Sequence, residues 1–196
     1  MRRLIRPMYL GKRRSKLFFK PSRNTWEPPE ALVNNAGILD LQTRVDEMNA
    51  ERIQRIFAVN VTGSFLCARE AVKRMSTKYG GKGGSIVNLS SGAAKYGSPG
   101  EYVDYAASKA AIDTLTIGLA REVAEEGIRV NAVRPGFIDT EIHQSGGEPD
   151  RMERVRALVP MKRVGQADEV ADAIMWLLSD KASYTTGTIL DVSGGR

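Results

Sequence analysis

The amino-acid sequence predicts an α/β domain organised around a parallel β-sheet. Short apolar runs alternate along the 196-residue chain with segments that have a helical period. The runs are continuously apolar, as in strands that are buried on both faces. Each run ends in glycine, proline, asparagine or serine, the residues typical of turns. This alternation favours a sheet that is covered by helices on both faces.

The sequence indicates about four strands. In chain order they are ALVNNAG (31–37), SIVNLSS (85–91), IRVNAVRPG (128–136) and GTILDVSGG (187–195). Ligands of open parallel sheets bind beyond the carboxyl ends of the strands. The polar residues expected at that edge are Asn34 and Asn35, Ser90 and Ser91, and the Arg134-Pro135-Gly136 turn.

Helices are predicted between these strands. The first spans roughly residues 49–78 and the second about 102–126; shorter helices are expected at 150–158 and 167–180. The inward stripe of the first is predicted as Ile53, Phe57, Val61, Phe65, Ala68, Val72 and Met75. That of the second is predicted as Tyr105, Lys109, Ile112, Thr116, Leu119 and Val123. The polar stretch from Thr140 to about Pro149 is expected to be mobile.

The net charge of +6 is concentrated ahead of the predicted sheet. Residues 1–31 contain nine basic and two acidic residues, which leaves 20 basic and 21 acidic residues in the remainder. We therefore expect a basic, irregular arm at 1–30 and one α/β domain at 31–196.

The composition excludes several classes of protein. Cys67 is the single cysteine and His143 the single histidine, so neither an intrachain disulfide nor a structural zinc site is expected. No apolar run approaches the roughly 20 residues of a membrane span. We expect a cytoplasmic protein without a membrane partner.

One helical turn separates Tyr105 from Lys109, whereas Tyr102 is followed at the same spacing by Ala106. A lysine on an inward stripe is costly to bury unless it is hydrogen-bonded or its proton is useful. An ammonium beside a phenol should lower the phenol's pKa towards neutrality, which suits proton transfer. When the pair is taken alone, a chance spacing or a lysine that extends outward to solvent explains it more readily than catalysis does.

Other polar residues strengthen the catalytic interpretation. Ser91 ends the strand that precedes this helix, and Asn60 lies among apolar residues of the first long helix. Each also has a structural interpretation, Ser91 as a cap and Asn60 as a core amide that ties down backbone. Their order along the chain, at successive strand ends, favours a shared site.

From about Ala31 to Arg196 the chain resembles the short-chain dehydrogenase/reductase family, most closely its bacterial glucose-1-dehydrogenase-like and 3-oxoacyl-carrier-protein-reductase-like members. The matching motifs are NNAG (34–37), Asn60 in NVTG, Ser91 in NLSS, Tyr105 and Lys109 in YAASK, and RPGFIDT (134–140). The terminal DVSGG is similar to the family's last strand. The resemblance implies a Rossmann-like, doubly wound sheet.

The resemblance also implies a function and residue roles. The expected reaction interconverts a carbonyl and a secondary alcohol of a small molecule, with NAD or NADP as cofactor. Tyr105 would be the acid/base, Lys109 would lower its pKa and bind the nicotinamide ribose, Ser91 would orient the substrate oxygen, and Asn60 would position a water for proton relay. The cofactor-binding residues would be Asn35, Ala36, Gly37, Tyr105, Lys109, Pro135, Gly136, Ile138 and Thr140. Tyr102 would be a packing or specificity residue.

The chain departs from the family pattern ahead of NNAG. The family begins with a strand, a T-G-x-x-x-G-x-G turn and a helix, then two further strand–helix units, and residues 1–30 contain none of these. We therefore expect an N-terminally truncated sheet with an open edge at its first strand and weakened cofactor binding. Three origins fit the arm: out-of-frame coding sequence, an Arg-rich targeting peptide, or a nonspecific nucleic-acid-binding segment.

An alternative to an enzyme therefore remains. The chain could be a catalytically silent scaffold that oligomerises through the helices at 49–78 and 103–126, with a basic arm for anionic partners. In either case a homo-oligomer, dimer or tetramer, is expected, without a specific nucleic-acid partner. These motifs indicate neither the substrate nor whether the cofactor is NAD or NADP.

Overall fold

The computed structural model describes residues 28–140, 142 and 151–196. Most of the predicted basic arm and most of the polar stretch after Thr140, including His143, lie outside these described residues. Within them the chain forms four strands that pair in parallel in the order β1-β2-β3-β4. The predicted α/β class and parallel sheet are confirmed.

The four strands lie where the sequence predicts them. They are β1 (Ala31–Asn34), β2 (Gly84–Leu89), β3 (Ile128–Pro135) and β4 (Ile189–Val192). Asn34 pairs with Asn88 and Ala132 with Ile189, so the carboxyl ends of the strands meet at one edge. In the described part of the chain β1 pairs on one side only, with β2.

Six helices accompany these strands in the described ranges. They are α1 (Ala50–Phe57), α2 (Gly63–Met75), α3 (Ala93–Tyr96), α4 (Val103–Val123), α5 (Arg151–Arg156) and α6 (Ala167–Leu178). Short single-turn helices at Val45–Glu47, Thr77–Tyr79, Ala124–Glu126 and Asp180–Ala182 lie in the connections.

The helices cover both faces of the sheet, as expected. On one face α2 and α4 bury Ala71, Met75, Ala120 and Val123 against the sheet. On the other face α6 packs Val170, Leu177 and Leu178 against alternate residues of the strands. Because neighbouring residues of a strand point to opposite faces, two apolar layers result, which explains the continuously apolar strand sequences.

The predicted first helix is interrupted by a wide turn. Between α1 and α2, residues Ala58–Thr62 form one π-type turn, in which Gly63 donates its N–H to the carbonyl of Ala58. Such a turn contains an extra residue and shifts the face that the following helix presents to the core. The predicted stripe is wrong at Phe65 in α2, which is 49% exposed, and right at Ala68 and Met75. It is also wrong at Ile53, which lies in α1 before the turn and is 40% exposed.

The stripe predicted for the second long helix is confirmed. Lys109, Ile112, Thr116 and Val123 on α4 are buried, and Tyr105 and Leu119 are half-buried. No helix in residues 28–140, 142 and 151–196 is long and apolar enough to cross a membrane.

Candidate active site

Lys109 points into the protein at the carboxyl end of β2. Its side chain is on α4, is 5% exposed, and donates from Nζ to the carbonyl oxygen of Leu89 at 2.8 Å. Nζ lies 5.7 Å from the centre of the Tyr105 ring, one helical turn earlier. The alternative of a lysine that extends outward to solvent is therefore wrong.

Ser91 and Tyr105 meet across the same edge of the sheet. Ser91 follows β2, and its Oγ accepts a hydrogen bond from the backbone N–H of Ala93 at 3.2 Å. This bond fixes the loop that leads into α3. The Ser91 side chain also lies close enough to the Tyr105 phenol to lower the pKa of that phenol. The structure thus brings Ser91, Tyr105 and Lys109 together, as the motifs predict.

The electrostatics differ from the expectation in one respect. The pKa of Tyr105 is raised, because burial outweighs the hydrogen bond from Ser91 and the positive charge of Arg151, which both lower it. The pKa that moves towards neutrality is that of Lys109: burial lowers it from 10.5 to about 8, partly offset by the negative charge of Asp113. The prediction that Lys109 lowers the pKa of Tyr105 is therefore wrong.

Asn60 lies in the wide turn between α1 and α2 and is 1% exposed. Its side chain accepts from the N–H of Ile38 at 2.8 Å and donates to the carbonyl of Ile38 at 2.9 Å. It also donates to Ser108 Oγ at 3.0 Å. Asn60 therefore fixes the loop after β1 against α4, immediately beside Lys109. Its role in water relay stays a prediction.

Gly37, in the loop after β1, lies close to the lysine. A Cβ placed on Gly37 would lie 3.2 Å from Lys109 Nζ and 3.6 Å from Asn60 Oδ1. An ammonium has three N–H donors, and within the described residues that of Lys109 makes one hydrogen bond, to Leu89. Two donors of this ammonium thus remain for a ligand hydroxyl. This arrangement fits the sugar of a nicotinamide cofactor.

The turn after β3 forms the opposite wall of the edge. Gly136 donates its N–H to the carbonyl of Val192 at 2.9 Å, and Ile138 is buried. Ile138 forms a bridge with Gly165, while Thr140 is exposed. Pro135 ends β3 itself. On the β1 side, Asn35 is exposed and Ala36 half-buried. The predicted cofactor-binding residues thus lie on the loops of one edge, and their role stays a prediction.

Arg134 anchors the β3 turn. Its guanidinium donates to Asp113 on α4 at 2.7 Å and to Asp191 on β4 at 3.2 Å. Lys95 on α3 also reaches Asp191, at 3.1 Å. These ion pairs connect α3, α4, β3 and β4 around the site. This network was not predicted from the sequence, although the position of Asp113 one turn after Lys109 is a signal for it.

Two further sets of polar residues were missed. One is a buried chain in which Asn34 Nδ2 donates to Asn88 Oδ1 at 2.8 Å and Asn88 Nδ2 donates to Thr116 Oγ1 at 2.9 Å. Polar residues inside apolar runs were the available signal. The other set is Arg151 and Arg196, whose positions beside the site depend on contacts that no local pattern reveals.

Metal ligands are not clustered in the described part of the chain. It contains no group of three or more His, Cys, Asp or Glu side chains that could hold a metal ion. Burial raises the pKa of the Cys67 thiol, which lies on α2.

Comparison with known proteins connects this geometry to a family. The model of a family described as enoyl-(acyl carrier protein) reductase matches residues 14–196. The uncharacterized oxidoreductase YgfF of Escherichia coli is 67% identical over 170 residues, which is 87% of this chain and 69% of that protein. The 3beta-hydroxysteroid dehydrogenase 1 of Eggerthella lenta is 43% identical over 164 residues, 83% of this chain and 61% of that protein.

Solved structures give the same result. A crystal structure of 3-oxoacyl-[acyl-carrier protein] reductase from Brucella melitensis matches with a TM-score of 0.78 and 40% identity, over 86% of this chain and 63% of that one. A second structure of such a reductase from Brucella melitensis, with bound NAD, matches with a TM-score of 0.76 and 39% identity, over 86% and 62%. The chain thus spans about two thirds of the length of these relatives. With a family match over most of its length, the chain belongs to the short-chain dehydrogenase/reductase family of NAD(P)-dependent oxidoreductases.

Proposed function

We propose that the protein interconverts a carbonyl and a secondary alcohol of a small molecule by hydride transfer, with NAD or NADP as cofactor. One observation carries the proposal: at the sheet edge the Tyr105 phenol lies beside Ser91, and the buried ammonium of Lys109 is 5.7 Å from the centre of its ring. Membership of an oxidoreductase family supports it.

The loops at the edge would hold the cofactor. Asn35, Ala36 and Gly37 would contact its adenosine side, and Lys109 would donate its free N–H groups to ribose hydroxyls. Pro135, Gly136, Ile138 and Thr140 would contact the nicotinamide end. The bound cofactor supplies or accepts the hydride at the substrate carbon.

The protein's own residues would manage the proton. In carbonyl reduction, Ser91 donates a hydrogen bond to the substrate oxygen and stabilises its developing negative charge. Tyr105 transfers its phenolic proton to that oxygen, so that an alcohol and a phenolate result. The raised pKa of Tyr105 keeps the phenol protonated before the reaction, as a proton donor requires.

Lys109 would restore the phenol. Its pKa of about 8 allows it to exchange protons near neutral pH, and its charge stabilises the phenolate once this has formed. A water held near Asn60 would complete the relay to solvent. Support for this part of the proposal is the contact from Asn60 to Ser108, the residue before Lys109.

The proposal is tested by replacing Tyr105 with phenylalanine. We expect Tyr105→Phe to lower turnover of carbonyl substrates by at least about a hundredfold, since it removes the transferable proton and little volume. Tyr184→Phe, at a fully exposed tyrosine, is the control and should retain activity. Consumption of NADPH or NADH is measured by absorbance. Equal activity of the two variants would exclude Tyr105 as the acid/base.

A second candidate function is a catalytically silent scaffold. The exposed Phe65 on α2 and Ile117 on α4 favour it, because exposed apolar side chains on two helices that share one layer suit self-association. Titration of NADPH or NADH, followed by fluorescence, separates the two. Saturable binding at micromolar cofactor supports the enzyme, and absence of binding at millimolar cofactor supports the scaffold.

A further inference from the structure

A cluster of two arginines and three aromatic rings lies beside the candidate active site. We call it the arginine–aromatic cluster; its members are Tyr96, Tyr102, Phe137, Arg151 and Arg196. The guanidinium of Arg196 lies 4.5 Å from the Phe137 ring centre and 5.2 Å from that of Tyr96. The guanidinium of Arg151 lies 4.8 Å from the Tyr102 ring centre and 5.8 Å from that of Phe137.

The cluster is adjacent to the reacting hydroxyls. Gly92, the residue after Ser91, donates its N–H to the carbonyl of Pro135 at 2.8 Å. A Cβ on Gly92 would meet the Tyr96 ring at 3.8 Å, so that ring lies over the Ser91 loop. Phe137 follows directly in the β3 turn. On the other side, the charge of Arg151 acts on the Tyr105 phenol.

The two arginines differ in their charge partners. Arg151 is buried and donates to Glu101 at 2.8 Å, and Arg154 contacts the same carboxylate at 3.4 Å. Arg196 has no carboxylate within ion-pair distance among residues 28–140, 142 and 151–196, and its Nη1 is buried without a hydrogen-bond acceptor there. Within this part of the chain the Arg196 guanidinium therefore makes no ion pair, and its Nη1 remains available to a ligand acceptor.

Arg196 is also held in place. Ser193 Oγ donates to a main-chain carboxyl oxygen of Arg196 at 2.6 Å, and Gly195 packs against Pro160. The rings of Phe137 and Tyr96 fix the guanidinium. A guanidinium fixed in this way can donate two parallel N–H groups to a carboxylate. A buried donor without an acceptor is costly, and a carboxylate of the ligand would remove that cost.

We propose that Arg196 binds a carboxylate on the substrate, and that the substrates are therefore oxo acids and the corresponding hydroxy acids. This inference rests on the proposed carbonyl–alcohol reaction at Ser91 and Tyr105. The carbonyl lies between these two hydroxyls, and the carboxylate, which the reaction leaves unchanged, extends past Phe137 to Arg196. A phosphate monoester would offer similar oxygens, and the experiment separates the two.

The test compares levulinate, an oxo acid, with its uncharged methyl ester. In Arg196→Gln we expect kcat/KM for levulinate to fall about tenfold to a hundredfold, the effect of one charge-assisted contact, with methyl levulinate little changed. Arg196→Lys should recover part of the loss. Arg156→Gln, at an exposed arginine of α5, removes the same charge and should leave both substrates unaffected.

Binding is measured separately from turnover. Ligand-observed NMR with the full chain gives the dissociation constant of levulinate for the unaltered protein, Arg196→Gln and Tyr105→Phe. We expect Tyr105→Phe to keep levulinate binding while turnover is lost, and Arg196→Gln to lose the binding.

Each outcome has a distinct meaning. Binding that depends on Arg196 in a chain without turnover upholds the carboxylate site and contradicts the proposed function. Turnover of ester and acid with equal kcat/KM, in the unaltered protein and in Arg196→Gln alike, upholds the function and overturns the site. Failure of levulinate to bind overturns the carboxylate site. The site is also overturned if inorganic phosphate competes with levulinate more strongly than acetate does. A third contrary result is an effect of Arg196→Gln that is confined to the KM of the cofactor.

Discussion

The side chain of Lys109 is a positive charge held inside the protein. Its single hydrogen bond in the described residues goes to Leu89, and burial lowers its pKa from 10.5 to about 8. The folded protein therefore binds this proton more weakly than the unfolded chain does. The burial cost is fully present below pH 8, decreases as the pH rises from 8 to 10.5, and is absent above that range.

Lys109→Met should stabilise the protein at neutral pH. The pKa shift of Lys109 corresponds to a burial cost of about 3 kcal/mol, which the substitution removes. Loss of the hydrogen bond to Leu89 costs about 1 kcal/mol, so we expect the free energy of unfolding to rise by about 2 kcal/mol. The gain should decrease between pH 8 and 10.5. Urea unfolding at several pH values measures it. Lys181→Met, at an exposed lysine, should show no such dependence, and a gain that is constant with pH would contradict the buried charge.

At the scale of single elements, the wide turn at Ala58–Thr62 positions Asn60. The turn places this amide against the loop after β1 and against Ser108 on α4. It is thus the element that connects the Gly37 side of the edge with the helix that carries Tyr105 and Lys109.

Asn60→Ala should destabilise the protein by about 3 kcal/mol, because it leaves both backbone groups of Ile38 without their partner in a part-buried position. Asn49→Ala removes the N-cap of α1, where Asn49 Oδ1 accepts from Arg52 N–H at 2.9 Å in an exposed position. There we expect a loss of about 1 kcal/mol. Chemical denaturation compares the two, and similar losses would show that Asn60 does not anchor the loop.

Two glycines in different elements should respond to alanine in opposite directions. A Cβ on Gly136 would lie 2.8 Å from the Ser193 Cα, so Gly136→Ala should push the β3 and β4 turns apart and cost about 2 kcal/mol. On α4, a Cβ on Gly118 would meet nothing within 4 Å, and Gly118→Ala should stabilise by up to about 1 kcal/mol. Thermal unfolding of both variants provides the measurement. A stabilising Gly136→Ala would exclude the close approach.

How far the sequence predicts each element depends on the range of the interactions that determine it. The strands and α4 follow from local apolar patterns, and the Tyr105–Lys109 pair follows from helical spacing. The wide turn does not, since Asn60 finds its partners in Ile38 and Ser108, 22 and 48 residues away. Because of this turn, α2 presents a different face to the core than the uninterrupted helix predicted for 49–78 would, and Phe65 is exposed. The charge network of Arg134 and the stacking of Arg196 likewise depend on distant contacts.

At the scale of the whole molecule, α2 and α4 lie on the same face of the sheet and both expose apolar side chains. Phe65 on α2 is 49% exposed and Ile117 on α4 is partly exposed. If the predicted homo-oligomer uses these helices, burial of these side chains would contribute to its stability.

Phe65→Asp should therefore lower the molar mass of the particle in solution, because it introduces a charge into the apolar contact. Light scattering after size-exclusion chromatography measures this mass. Tyr184→Asp changes a fully exposed aromatic residue of another surface and should leave the mass unchanged. An unaltered mass in Phe65→Asp would place the interface elsewhere.

The buried amides of Asn34 and Asn88 have a consequence for how the edge is aligned. These residues are direct partners in the β1–β2 ladder, and their side chains bond to each other and onward to Thr116. A shift of β1 by one residue in either direction would separate the two amides and set the buried Asn34 opposite Val87 or Leu89, at a cost of several kcal/mol. The pair thus fixes the register of β1 against β2. Gly37 and Ser91, each three residues after one of these asparagines, are therefore held level with each other at the edge of the sheet.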